Sequence, residues 1–209
     1  MLYNNDCLNI LSKMNSNSVD MIYLDPPFYT QKIQTLTNSN GKEYNFDDKW
    51  ISRNQYIDYL KKRLLLMKYI LKESGNIFLH CDSTASAYLK VLMDDIFGEN
   101  NFRSEIIWTY KRWTNSQKKL IPNHQTIFHY TKTDNYKFYT IYGDYSLTTN
   151  IDQILQERER NDIGKSVYKK DSNGNIVMCK QKKGVPLSDV WEIPYFRKTL
   201  SLPINIKIV

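Results

Sequence analysis

Glycine is scarce in this chain: seven in 209 residues, at positions 41, 75, 98, 143, 164, 174 and 184. No two lie close enough to build a glycine-rich loop, the usual means of bringing backbone close to a ligand. Cysteine is scarcer still. Cys7, Cys81 and Cys179 are odd in number and far apart, which excludes both a disulfide framework and zinc-site spacing. The three histidines, His80, His124 and His129, form no ligand cluster either, so no metal is expected. No apolar run approaches the roughly 18 residues of a membrane span. The N-terminal MLYNNDCLNI lacks the basic-then-apolar layout of a secretion signal. These absences point to a cytoplasmic protein with no membrane partner. Internal repeats and low-complexity tracts are missing as well.

What remains is enough for a folded domain. With 41% hydrophobic residues the chain can bury a core, and its length suits one domain or one domain plus an appendage. The net charge of +7 and the pI near 9.1 suit a polyanionic partner, although they bear on association and not on fold. The 16 tyrosines and 4 tryptophans offer faces for packing or for stacking against bases.

Along the chain, DCLNILSKM reads as a short helix with Asp6 placed to cap it. Val19 to Leu24 is an apolar run of strand length. Residues 29–49 are polar and read as a long loop of the kind that closes over a site. A capping box at Ser52 to Gln55 opens a helix expected to close at Gly75. The strand NIFLH follows, then a helix through CDSTASAYLKVLMDDIF closing at Gly98. Strand, helix, strand, helix with short joints argues for an α/β fold, a mostly parallel sheet covered by helices. In the second half SEIIWTY and QTIFHYT read as strands, and DSNGN as a turn.

One stretch resists a purely structural reading. VDMIYLDPPFYT ends its apolar strand on the lone carboxylate of Asp25 and follows it with two prolines. The residue before a proline is held extended, and neither proline has an N–H. The turn thus offers a carboxylate and carbonyl oxygens, with few donors to neutralise them. In an open α/β sheet the carboxyl end of a strand is where ligands bind. A Pro-Pro turn can serve merely to stop a strand. Set after a buried strand and before the aromatic Phe28, this one suits a ligand that donates two hydrogen bonds, such as the amino group of a nucleobase. His80 and Asp82 end the next strand at the same rim. A strand-end histidine is ordinarily a hydrogen-bonded structural residue, and neither is placed in the site.

LDPPF resembles the catalytic motif of the amino-group DNA methyltransferases that use S-adenosylmethionine, enzymes of restriction-modification systems. NNDCLNIL before it agrees, as do NIFLHCDSTASAYLKVLMDDIFGENNFRSEIIW, NHQTIFHYTK and DVWEIP after it. Their order is similar to the permuted group, in which the catalytic motif precedes the cofactor loop. The resemblance runs from about Met1 to Pro194 and implies an incomplete Rossmann-like methyltransferase fold. It makes Asp25, Pro26, Pro27 and Phe28 the catalytic residues, and Asp6, Cys7 and Asp25 contacts for the cofactor. Asp6 keeps its alternative role as a helix cap. The DPPF form implies adenine N6 as the methyl acceptor, where serine in place of Asp25 would imply cytosine N4. A flipped-out base in double-stranded DNA would be the substrate.

Between Thr109 and Lys137 six basic residues face a single acid, Asp134, and Trp113 lies within the tightest group, YKRWTNSQKK. Lys111, Arg112, Trp113, Lys118 and Lys119 are the expected DNA contacts, by phosphate pairing and stacking. The expected division is a partial catalytic core over 1–139, then a target-recognition-like region and an unmatched tail over 140–209. The family's glycine-rich cofactor loop has no counterpart here. A truncated enzyme, a second chain that supplies the cofactor half, and an unfamiliar replacement segment all remain open. So does a DNA-binding fragment without catalysis.

Overall fold

The computed structural model describes residues 2–37, 40–111, 118, 120–145, 150–179 and 184–194. The chain divides into two compact units, Met1–Lys137 with Asp189–Val209, and Phe138–Ser188.

In the first unit, α1 (Cys7–Leu11) is capped as its sequence suggests, with the Leu8 N–H donating to the Asp6 side chain. Strand β1 (Val19–Leu24) follows. The expected loop is instead a two-stranded ribbon, β2 (Lys32–Thr37) antiparallel to β3 (Glu43–Asp48). Its polarity hid it: a ribbon with two open faces needs no apolar alternation, only β-tolerant residues and local pairing.

Helix α2 (Arg53–Ile70) opens on Ser52, whose side chain accepts the Gln55 N–H. The reciprocal half of the capping box goes elsewhere, since Gln55 Oε1 accepts from Ile51 N. The helix stops five residues before Gly75. The Asn17 and Ser18 N–H groups take the Tyr69 and Ile70 carbonyls, and Leu71 turns extended to begin β4 (Leu71–Cys81). Tertiary hydrogen bonds end this helix, and propensity alone would have carried it further. Gly75 still matters, because a Cβ there would meet Leu71 Cγ at 2.7 Å and the Lys72 carbonyl at 2.9 Å. Helix α3 (Ser86–Phe97), β5 (Phe102–Thr109) and β6 (His124–Thr131) complete this stretch.

The second unit holds short pieces: β7 (Tyr142–Gly143), α4 (Ile151–Leu155), β8 (Arg158–Arg160), β9 (Ser166–Tyr168) and β10 (Val185–Pro186). β7 pairs with β10 and β8 with β9, both antiparallel. Gly184, at φ +128°, permits the first pairing, since a Cβ there would sit 2.3 Å from the Gly143 carbonyl oxygen. DSNGN forms the expected turn, with Asp171 accepting the Asn173 and Asn175 N–H groups.

The chain then returns to the first unit as β11 (Val190–Glu192), parallel to β5. The finished sheet runs β1-β4-β6-β5-β11, with only β6 reversed. Sequence placed 140–209 outside the core, as a recognition-like region and a tail, whereas 190–192 belong to the sheet of the first unit. α2 and α3 cover one face of that sheet. Tyr56, Leu60, Leu64 and Met67 from α2, with Leu89, Met93 and Phe97 from α3, pack against Ile77, Leu79, Cys81, Phe128 and Tyr130. On the other face Met21 and Tyr23 are more than half exposed, and Phe78 stacks on His129 at 4.3 Å. β1 forms the sheet's edge among the described residues. Its carboxyl end is where the DPPF turn begins.

Candidate active site

β1 delivers Asp25 to the sheet rim, and the two prolines then carry the chain away from the sheet. Pro26 is buried while the Asp25 side chain is 62% exposed, so the turn is anchored by its proline ring and presents its carboxylate toward solvent, with one oxygen 3.2 Å from His80 Nδ1. The turn is held from two sides. Tyr56, fully buried in α2, donates its hydroxyl to the Pro27 carbonyl at 2.8 Å. Burial, with lesser contributions from nearby anions, raises this phenol far above its ordinary range, so it remains a donor. From the ribbon comes Asp48, itself 1% exposed. Its Oδ1 accepts from Tyr29 N at 3.1 Å and Trp50 Nε1 at 2.9 Å. Its Oδ2 accepts from Thr30 N at 2.8 Å and the Thr30 hydroxyl at 2.6 Å. Tyr29 (φ 62°) and Gln31 (φ 60°) lie in the left-handed region, which costs a side-chain-bearing residue about 1–2 kcal/mol. Asp48 sits where that strain must be offset.

The turn opens on a cavity of about 750 Å³, within the range of small-molecule sites. Asp25, Pro26, Pro27 and Phe28 all line it, and Tyr23, Phe46 and Trp108 add aromatic walls. It therefore has one exposed carboxylate among several ring faces. Burial, then the Asp25 charge, raises the Tyr23 phenol and keeps it neutral. The ribbon contributes Phe46 and Gln34, cross-strand partners on one face, which sequence reading left in a loop. Trp108 and Gln125 reach the cavity from β5 and β6 and had no local signal. His80, set aside on sequence, also lines it. A second cavity, of about 730 Å³ within 138–188, has Glu157 as its sole carboxylate, and that group pairs with Lys169 at 3.1 Å.

The remaining expected site residues are distributed differently. Asp6 and Cys7 do not line the cavity at Asp25. Both Asp6 oxygens accept from Arg63 Nη2, at 3.0 and 2.8 Å, and Oδ1 also caps Leu8 N. A carboxylate has about four acceptor positions, so little is left for a ligand. The described glycines offer no close-approach loop. Among the described residues, a glycine loop for the amino-acid end of a nucleoside cofactor is therefore missing. Lys111 is 95% exposed at its side chain, 3.8 Å from Glu192, and Lys118 is exposed. Arg112, Trp113 and Lys119 lie outside the described residues. Among the described residues no His, Cys, Asp and Glu cluster could hold a metal, and no helix is long and apolar enough to cross a membrane.

Comparison with known proteins supplies the context for this geometry. The probable type III restriction-modification enzyme HindVI Mod subunit of Haemophilus influenzae is 39% identical over 95 residues, 46% of this chain and 11% of that protein. The type II methyltransferase M.BamHI of Bacillus amyloliquefaciens is 29% identical over 202 residues, 93% of this chain and 40% of that protein. The chain thus spans well under half the length of these relatives. Among solved structures, the PvuII DNA methyltransferase (cytosine-N4-specific) aligns at 18% identity and TM-score 0.47, covering 63% of this chain and 49% of that one. The DNA methylase family model matches residues 19–202. The chain belongs to the N6/N4 DNA methylase family.

Proposed function

We propose that this chain is the acceptor-binding part of an adenine-N6 DNA methyltransferase, with Asp25, Pro26, Pro27 and Phe28 at its centre. The observation that carries the reading is the exposed Asp25 carboxylate at the mouth of a cavity walled by aromatic rings. An extruded adenine would lie against Phe28 and present its amino group to the elbow. Such an amine is a weak nucleophile because its lone pair is delocalised into the ring. Asp25 and the Pro26 carbonyl would each accept one amino hydrogen, so the nitrogen pyramidalises and its lone pair points away from the purine plane. The same oxygens lower the energy of positive charge as it develops on that nitrogen. S-adenosylmethionine, when bound, would supply the electrophilic methyl group. Alignment of the two is where most of the rate would be gained.

Adenine over cytosine N4 is favoured by Asp25 itself, since the cytosine form of the motif carries serine there. The groups that would hold the donor's amino-acid end would come from outside the described residues, from a second polypeptide or a further segment. The basic stretch that includes Lys111, Arg112, Trp113, Lys118 and Lys119 would position duplex DNA through its phosphates. Lys111→Glu with Arg112→Glu then weakens duplex binding and flattens its salt dependence in gel-shift titrations. An unchanged slope removes the segment from the interface.

The deciding experiment is methyl transfer from labelled S-adenosylmethionine to DNA, with and without the product of the neighbouring reading frame. Digestion to nucleosides then identifies the modified base. N6-methyladenine that disappears in Asp25→Ala is the expected outcome, and N4-methylcytosine corrects the acceptor. DNA binding without transfer under every condition would establish the alternative, a non-catalytic DNA-binding fragment.

A further inference from the structure

We propose that His80 is the positioning residue for Asp25, donating from Nδ1 to one carboxylate oxygen and leaving the other free for the substrate amine; this rests on the function proposed above. His80 closes β4 beneath the turn, with its side chain 7% exposed, and its Nδ1 lies 3.2 Å from Asp25 Oδ1. Its far nitrogen, Nε2, lies 2.9 Å from Gln125 Oε1 on β6. The ring is also wedged between aromatics: Phe28 meets it edge-on at 5.1 Å, Trp108 at 5.5 Å and Tyr23 at 6.3 Å. A buried imidazole so enclosed cannot turn away from the carboxylate.

Hydrogen-bond accounting fixes the proton. An ionised carboxylate only accepts, so it cannot face an imidazole lone pair at this distance. With Gln125 presenting its oxygen, Nε2–H donates there and Nδ1 must carry a second proton. With the Gln125 amide reversed, its NH₂ donates to Nε2 and the single ring proton sits on Nδ1. Both arrangements put a proton on Nδ1, which lies 3.2 Å from Asp25 Oδ1. The charged and titratable groups around the ring are few. Asp25 faces it from the turn and Tyr23 from β1, while Gln125 and Trp108 contribute no charge. A mostly exposed aspartate has several rotamers, and a rigid donor beneath it selects one. Gln125 in turn selects the orientation of the donor.

Two measurements on the assembled methyltransferase test this separately from the function. Long-range proton–nitrogen NMR of the histidine-labelled protein, assigned with His80→Gln, reads which ring nitrogen holds the proton. A protonated Nδ1 is expected, and a bare Nδ1 beside a protonated Nε2 overturns the proposal whether or not the protein methylates anything. In kinetics, His80→Gln keeps a group near Gln125 but loses the donor to Asp25, whereas the His80→Asn amide places an N–H close to the position of Nδ1. His80→Gln and His80→Phe are expected to lower kcat about 10- to 100-fold, the scale of one lost charge-assisted hydrogen bond. KM for DNA should stay within about twofold, and His80→Asn should recover most of kcat. Equal losses in Asn and Gln, or a loss expressed in KM, would mean that His80 merely packs. Absence of methyl transfer from the unaltered protein rejects the proposed function and leaves the NMR result to decide the role of His80.

Discussion

Replacing Asp48 tests whether the elbow is held by one carboxylate. Asp48→Ala removes the acceptor of four hydrogen bonds from Tyr29 N, Thr30 N, the Thr30 hydroxyl and Trp50 Nε1. The hydroxyl can turn to another partner, but the two backbone N–H groups and the indole cannot. Each half-buried donor left unpaired costs about 1–3 kcal/mol, and the terms are not additive because the donors share one acceptor. Three such donors sharing one acceptor put the total at about 3–5 kcal/mol. At about 2–4 °C per kcal/mol for a chain of this size, the melting temperature should fall by roughly 6–20 °C. Asp48→Asn is the sharper variant. Each Asp48 oxygen accepts one backbone N–H, so either orientation of the amide sets its NH₂ against a backbone donor. Asn should therefore behave much more like Ala than like Asp. Urea unfolding followed by circular dichroism gives the free energies, and limited proteolysis reports loosening of residues 29–31. A loss below about 1 kcal/mol for Ala, or an isostable Asn, would refute the reasoning.

Tyr56→Phe removes the phenol that serves Pro27, and should cost about 1–2 kcal/mol in the same unfolding assay while leaving the far-UV spectrum unchanged. His129 supplies a pH dependence. Burial, with a smaller contribution from Arg103, lowers its folded pKa to about 4, so the unfolded chain binds the extra proton over the interval from about 6.5 down to 4. Stability should thus fall by up to about 3 kcal/mol as pH drops through that window, and His129→Leu should flatten the slope even as it lowers the baseline. Calorimetry on the isolated chain should find weak or no binding of S-adenosylmethionine, because Asp6 is already engaged by Arg63 and Leu8. Low-micromolar affinity would overturn that expectation.

Much of the fold was legible because it follows local rules. The Asp6 and Ser52 caps, the Val19–Leu24 strand and the Gly98 stop each rest on neighbours within a few residues. The ribbon was missed because a strand pair with both faces wet has no apolar period to read. The early end of α2 was missed because its last carbonyls are claimed by residues 17 and 18, 52 positions earlier. At the site, LDPPF announced itself by breaking the rules of secondary structure. Its supports did not, since Asp48, Tyr56, His80 and Gln125 come from four different elements and look ordinary in their own segments. Asp6 shows the reverse: its motif fits a cofactor contact, while the structure gives its carboxylate to an arginine 57 positions away.

Tyr56 belongs at once to the helix interior and to the elbow, with its ring against Tyr29 and Trp50 and its oxygen on Pro27. No hinge insulates chemistry from packing at that point. A repacked α2 also shifts the Pro27 end of the elbow, so under the function proposed above substitutions in that helix chosen only for thermostability should register in methyl transfer, and heat should loosen elbow and hydrophobic layer together.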